Sequence, residues 1–206
     1  MKESLYKVTV IIPVYNQEHL ITRALDSIPN REDIEIIVID DGSTDNSREN
    51  AINWTIEKHR ANVTIPNKRE HKGIAFTVNQ GYDLAEGEYI VLLGSDDYFY
   101  TDKFEECINE LDGTDIVYFN AIVNIGKEWD LNEESADLLC GSYRFTKRTL
   151  IGDDRCDNKQ WGEDRTLWDK IKEKPHTKKF THIPVKHYNH PRENSISDLH
   201  DRGIIE

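Results

Sequence analysis

Apolar residues along this chain gather in short runs separated by stretches of helical spacing. Val8–Val14 is almost continuously apolar and rich in β-branched residues, the pattern of a strand covered on both faces. Leu20, Ala24, Leu25 and Ile28 then recur at helical spacing up to Pro29-Asn30. Ile34–Ile39 is a second buried strand that runs into Asp40-Asp41-Gly42-Ser43, and Thr44 or Asp45 is placed to cap a helix reaching about Lys58. A short strand near Asn62–Ile65 precedes a helix from about Gly73 to Ala85, with Glu86-Gly87 as its expected glycine cap. Tyr89–Leu93 is the third strong strand and finishes in Gly94-Ser95-Asp96-Asp97. Strands alternating with helices of this length predict right-handed crossovers and a mostly parallel sheet. After a strand at Ile116–Asn120 the pattern loosens. Gly126–Asp137 reads as a loop, Glu163–Lys172 as a helix and His182–Tyr188 as a strand, with a polar tail from Asn189 to Glu206.

The 206 residues suit one domain with a substantial core, and no linker or internal repeat divides them. No apolar run approaches the roughly 18 residues needed to cross a bilayer, and MKESLYK leads straight into the first strand. A cytoplasmic protein without a membrane span is the expectation. Cys107, Cys140 and Cys156 are odd in number and scattered, which predicts ordinary thiols. The formal net charge of -13 disfavours nucleic acid and anionic membrane surfaces as partners. It also means that an anionic substrate needs local compensation, from a metal ion, helix N-termini or a few placed basic residues.

The chemistry is concentrated where strands end. Open parallel sheets bind ligands beyond the carboxyl ends of their strands. Two strands here end in paired acids, Asp40-Asp41 and Asp96-Asp97. Such crowding is unfavourable unless cations or donors compensate it. Hard oxygen ligands suit Mg²⁺ or Mn²⁺, and a diphosphate would complete the coordination. Taken singly, each pair also reads as turn chemistry.

In order and spacing, Val10-Ile11-Ile12-Pro13-Val14-Tyr15-Asn16, Ile39-Asp40-Asp41-Gly42-Ser43-Thr44-Asp45 and Ala85–Ile90 through Ser95-Asp96-Asp97 resemble the nucleotide-binding half of family-2 glycosyltransferases. The resemblance covers about residues 6 to 100. It implies a Rossmann-like GT-A fold and a nucleoside-diphosphate sugar donor, most often UDP-linked. Within it, Pro13 and Tyr15 would line the base and ribose pocket, and Asp41 with Asp40 would bond the base. Ser95-Asp96-Asp97 stands at the family's DxD motif, with serine in place of the first acid. Asp96 would lie near the ribose or metal, and Asp97 would be the principal metal ligand. Lys72, in Lys68–Gly73, would meet the diphosphate, although a solvated loop reads nearly as well. Asn79 is assigned to helix packing.

Inverting transfer needs a base for the acceptor hydroxyl and positive charge on the leaving diphosphate. Trp161-Gly162-Glu163-Asp164 resembles the family's Glu-Asp motif, which makes Asp164 the base and Glu163 a contact to the acceptor. Acids at a helix N-terminus are favourable in any case. Trp161 and Trp168 read equally as sugar platforms and as core. The tail His187–Ser197 resembles the closing segment in which a histidine completes the metal site, with His190 preferred over His187. The expectation is a single GT-A domain with a nucleotide half at about 1–100 and an acceptor half with a C-terminal lid at about 101–206. Its acceptor would be a carbohydrate or glycoconjugate. A compact acceptor half also leaves room for a partner chain or a homo-oligomer. A nucleotidyltransferase is the enzyme alternative, disfavoured because Pro13–Glu18 holds neither glycine nor a basic residue. A non-catalytic sugar-nucleotide-binding relative is the other.

Overall fold

A computed structural model describes residues 4–67, 70–123, 127–136, 143–159 and 162–189. The first run forms β1 (Tyr6–Val14), which pairs in parallel with β2 (Ile34–Asp40) and with β4 (Gly87–Leu92). The short β3 (Val63–Thr64) adds to β2, again in parallel. Between them run α1 (Ile21–Asp26), α2 (Ser47–Glu57) and α3 (Ile74–Leu84). Every residue of β2 is buried, as its unbroken apolar run requires of a strand covered on both faces.

The later chain extends the same sheet. After β5 (Tyr98–Phe99) and α4 (Thr101–Asn109) come β6 (Ile116–Val123), β7 (Glu128–Trp129), α5 (Glu133–Ala136), β8 (Arg144–Lys147), α6 (Arg148–Ile151), α7 (Glu163–Ile171) and β9 (Lys178–Tyr188). The sheet order is β3-β2-β1-β4-β8-β6-β9-β5, with β7 on β6. Strands of both halves of the chain therefore share one sheet. The strand β8 lies antiparallel between β4 and β6, while β9 runs parallel to β6. Consequently β1, β2, β4, β6 and β9 all point their carboxyl ends at one edge. The periodicity of 144–147 is too short to announce β8, and β7 and α5 fall in the stretch read as a loop. The Asn62–Ile65 and His182–Tyr188 strands are present, the first shortened and the second lengthened.

Two local readings are corrected. Gly87 does not cap α3, whose C-cap is Ala85; it opens β4, because a Cβ there would stand 2.5 Å from the Thr9 backbone nitrogen. The close approach of β4 to β1 is what requires glycine. Asn46, not Thr44 or Asp45, is the N-cap of α2, although Asp45 does accept the Ser47 N–H at 3.0 Å. Nearby, buried Glu35 is satisfied by the Thr9 hydroxyl at 2.6 Å and the Glu86 N–H at 2.9 Å, and Thr9 Oγ1 accepts the Gly87 N–H at 2.8 Å. These bonds tie β1, β2 and β4 together at the edge opposite the acids, and full pairing is what makes a buried carboxylate tolerable.

Asn79 packs as expected. Its amide exchanges two bonds with the Cys156 backbone, at 2.9 and 2.8 Å, joining α3 to the segment before α7. Trp168 is fully buried and belongs to the core rather than to a platform for sugar; Trp161 lies outside the described residues. The two described cysteines, Cys107 and Cys156, are free thiols, as expected, and burial pushes both up to about 12. No helix among the described residues is long and apolar enough to cross a membrane.

Candidate functional site

The parallel strands deliver the acids to a common edge. Asp40 ends β2 and Asp41 follows it, both buried. Asp40 Oδ1 accepts the Ser43 N–H at 3.2 Å, and its Oδ2 is buried with no partner among the described residues. Asp41 Oδ1 accepts the Lys72 N–H at 3.0 Å and Oδ2 the Gly73 N–H at 2.8 Å, so this carboxylate serves the otherwise unbonded N–H groups where α3 begins. Gly73 enters that helix at φ 92°, in the region that favours glycine. His71 is drawn in as well: its Nδ1 stands 3.0 Å from Asp41 Oδ2, and its ring stacks on Tyr15 at 4.2 Å between centroids. Tyr15 is 42% exposed, an aromatic face presented to solvent just beyond β1, and Pro13 is part-buried inside that strand. Lys72 directs its ammonium over Phe76 at 4.7 Å. His71 stands in the basic segment that the sequence marks, but nothing in its spacing distinguishes it from its neighbours.

Beyond β4, Asp96 is half-buried and Asp97 almost wholly so. Arg23 reaches across from α1 to donate to the Asp96 carbonyl at 2.6 Å and lies over the Tyr98 ring at 5.0 Å. Asp97 Oδ2 is 2.8 Å from Lys186 Nζ, and Oδ1 accepts the Asn189 N–H at 2.9 Å. Both oxygens of the expected principal metal ligand are thus engaged by β9 and the residue after it. Among the described residues no three His, Cys, Asp or Glu side chains converge on a point that could hold a metal ion. Protein ligands for Mg²⁺-like ions are often just one or two carboxylates, with substrate phosphates supplying the rest. Of the two carboxylates expected here, Asp97 faces an ammonium and Asp96 is half-buried.

His190 lies outside the described residues. His187, the alternative, stacks on Tyr98 at 4.5 Å, and its buried Nδ1 has no partner among the described residues. Burial lowers its pKa, with the Arg23 charge adding to the effect.

Glu163 and Asp164 form the first turn of α7, after Gly162 in a left-handed conformation at φ 69°. Burial, and then the Asp164 charge, push Glu163 up to about 7. Burial also raises Asp164, but the Arg144 charge, the Arg165 N–H at 2.8 Å and the Lys186 charge act in the opposite direction. Both carboxyls are therefore raised by burial, and the nearby cations oppose the rise at Asp164. Arg144, on β8, is buried with its guanidinium 4.5 Å over the Trp168 ring and its Nη1 without a partner among the described residues. Arg23, Arg144 and Lys186 went unnoticed in the sequence, because no motif surrounds them and only strand order brings them to this edge.

The family model described as Glycosyl transferase family 2 matches residues 9–172. A poly(ribitol-phosphate) beta-glucosyltransferase of Bacillus spizizenii is 41% identical over 96 residues, 45% of this chain and 15% of that protein. A Campylobacter jejuni GalNAc(5)-diNAcBac-PP-undecaprenol beta-1,3-glucosyltransferase is 26% identical over 211 residues, 93% of this chain and 67% of that one. Among solved structures, S. aureus TarS 1-349 in complex with UDP-GlcNAc superposes with a TM-score of 0.79 at 21% identity, covering 93% of this chain and 60% of that one. The mannosyltransferase PcManGT from Pyrobaculum calidifontis, in complex with GDP-Man and Mn²⁺, gives 0.69 at 20% identity over 91% and 58%. These two show the GT-A, Rossmann-like fold. The chain spans only a fraction of some relatives, 17% of a Streptococcus pneumoniae glycosyltransferase GlyA and 15% of the Bacillus protein. With the family model spanning the sheet from β1 through α7, the chain belongs to glycosyltransferase family 2.

Proposed function

We propose that the chain transfers a sugar, with inversion, from a UDP-linked donor to a hydroxyl of a carbohydrate or glycoconjugate acceptor. The observation that carries this reading is the buried carboxylate pair at the α7 N-terminus, on the same sheet edge as Asp41 and Asp96. The neighbour bound to UDP-GlcNAc supports a UDP donor, and the one holding GDP-Man and Mn²⁺ supports a divalent ion.

In this reading the nucleotide half is about residues 1–100 and the acceptor half about 101–206. Tyr15 and Pro13, with His71, receive the base and ribose; Asp40 and Asp41 bond the base and shape the start of α3; Lys72 meets the diphosphate. Asp164 takes the proton from the acceptor oxygen as that oxygen attacks the anomeric carbon. The nearby Arg144 and Lys186 charges oppose the upward push of burial on Asp164 and so favour its basic form. Glu163, its pKa raised by burial, contacts the acceptor or holds the local geometry. Mn²⁺ or Mg²⁺, held by Asp96 and the donor phosphates, would supply positive charge to the leaving diphosphate. His190 is a further candidate ligand for that ion.

The test is titration of UDP with and without Mn²⁺, followed by turnover of UDP-sugars on the native chain and on Asp164→Asn. Metal-assisted UDP binding is expected, with turnover falling roughly 10²–10⁴-fold in the variant while UDP affinity holds. Absence of UDP binding under any metal condition overturns the donor assignment. Binding without turnover across UDP-sugars and saccharide acceptors points instead to a sugar-nucleotide-binding module.

A further inference from the structure

Lys186 is the most deeply buried cation among the described residues, at 0% exposure, and its partner Asp97 has a side chain only 4% exposed. Their contact is 2.8 Å. The ammonium also stands 5.2 Å from the Tyr143 ring and 5.8 Å from the Tyr188 ring, aromatic faces that favour a cation. Asp97 is fixed on its other sides. Its Oδ1 accepts the Asn189 N–H, and its own N–H donates to the Gly94 carbonyl at 3.0 Å. A Cβ at Gly94 would lie 3.0 Å from Asp97 Oδ2 and 2.9 Å from Asp96 Oδ1. The carboxylates therefore close over the backbone of residue 94, where glycine leaves them room.

A divalent ion seated on Asp97 would stand within a few ångströms of a buried ammonium, in surroundings that screen poorly. Seating it there requires breaking a desolvated pair, which leaves a buried charge unmatched. We propose that Lys186 is the built-in counter-cation of Asp97, and that Asp97 acts as a positioning residue, clamping the end of β9 to the end of β4, rather than as a metal ligand. Any divalent ion is then left to Asp96 and the donor phosphates. Asp97 holds Asn189, where the chain leaves β9, and Lys186 lends its charge to Asp164. The clamp thus connects the donor edge with the carboxylate pair of α7. Its metal arm rests on the donor reading above, while the pair itself stands on geometry.

Two readouts on the full chain test it: thermal unfolding, and UDP titration with and without Mn²⁺. The variants are Lys186→Met, Asp97→Asn, the double Asp97→Asn/Lys186→Met, and Asp96→Asn. Each half of the pair removed alone should lower Tm by roughly 10 °C, and the double variant should regain at least half of that loss, because no charge is left unpaired. If the single variants do not fold, a folded double variant carries the same meaning. The Mn²⁺ enhancement of UDP binding should persist in the double variant and vanish in Asp96→Asn. Additive losses of Tm would overturn the clamp. So would an enhancement lost with Asp97 and kept without Asp96. Should the native chain bind no UDP at all, the donor reading falls, and the thermal cycle alone decides the pair.

Discussion

Tyr15 and His71 show how single side chains at this edge acquire meaning from their partners. The stacked rings sit 4.2 Å apart, and His71 is held from beneath by Asp41, itself committed to the N–H groups of Lys72 and Gly73. An aromatic pair of this kind is worth about 0.5–1.5 kcal/mol beyond its area, and an exposed member offers a face to a flat ligand. In the donor reading, His71→Ala loses the support of the Tyr15 ring but not the ring itself. UDP affinity should fall by roughly three- to tenfold, measured by calorimetry, with the unfolding midpoint nearly unchanged. An unchanged affinity would remove His71 from the donor pocket. Asp40 is a second case, since its buried Oδ2, without a partner among the described residues, is the kind of orphan that a ligand donor can satisfy.

At the scale of the element, α7 carries a cost at its first turn. A helix N-terminus favours acids, yet burial and mutual repulsion raise Glu163 to about 7 against an ordinary value of 4.5. The folded state therefore binds more protons than the unfolded one between about pH 4.5 and 7, and stability contributed by protonated Glu163 is lost as pH rises through that window. Glu163→Gln should be more stable than the native chain above pH 7, by about 1–3 kcal/mol, and the gap should close toward pH 4.5. Urea denaturation across pH checks this. A gap that does not change with pH would mean that the carboxyl titrates alike in both states. The strand β9 shows the same tension differently: its periodicity reads as an ordinary strand, but Lys186 takes a fully buried position that Asp97 helps to make tolerable.

For the molecule as a whole, the two halves are joined by the shared sheet and by a few polar ties, of which Asn79 with the Cys156 backbone is the clearest. Asn79→Ala removes both bonds from a part-buried place and leaves the Cys156 groups unmatched. It should cost about 1–3 kcal/mol of unfolding free energy. Because the tie anchors the segment before α7, transfer should suffer more than UDP binding does. Equal losses in both would place the tie's influence on the fold alone.

The sequence by itself determined the strands β1, β2 and β4, the helices α1, α2, α3 and α7, and the acids at the strand ends. These elements are long or strongly patterned, and their chemistry is local: an unbroken apolar run can only be a covered strand, and acids after it face the ligand edge. The family resemblance, and not local pattern, set apart the Glu163-Asp164 pair and drew attention to Asn79. Tertiary structure alone decided what has no local signature. The four-residue β8 is inserted antiparallel between β4 and β6, and this brings Arg144 under α7. Strand order sets β9 beside β5 and β6, 89 positions from Asp97, and gives that carboxylate its lysine. Charge compensation acts through space, so the identity of a buried acid's partner depends on which strands become neighbours and not on which residues adjoin it in the chain.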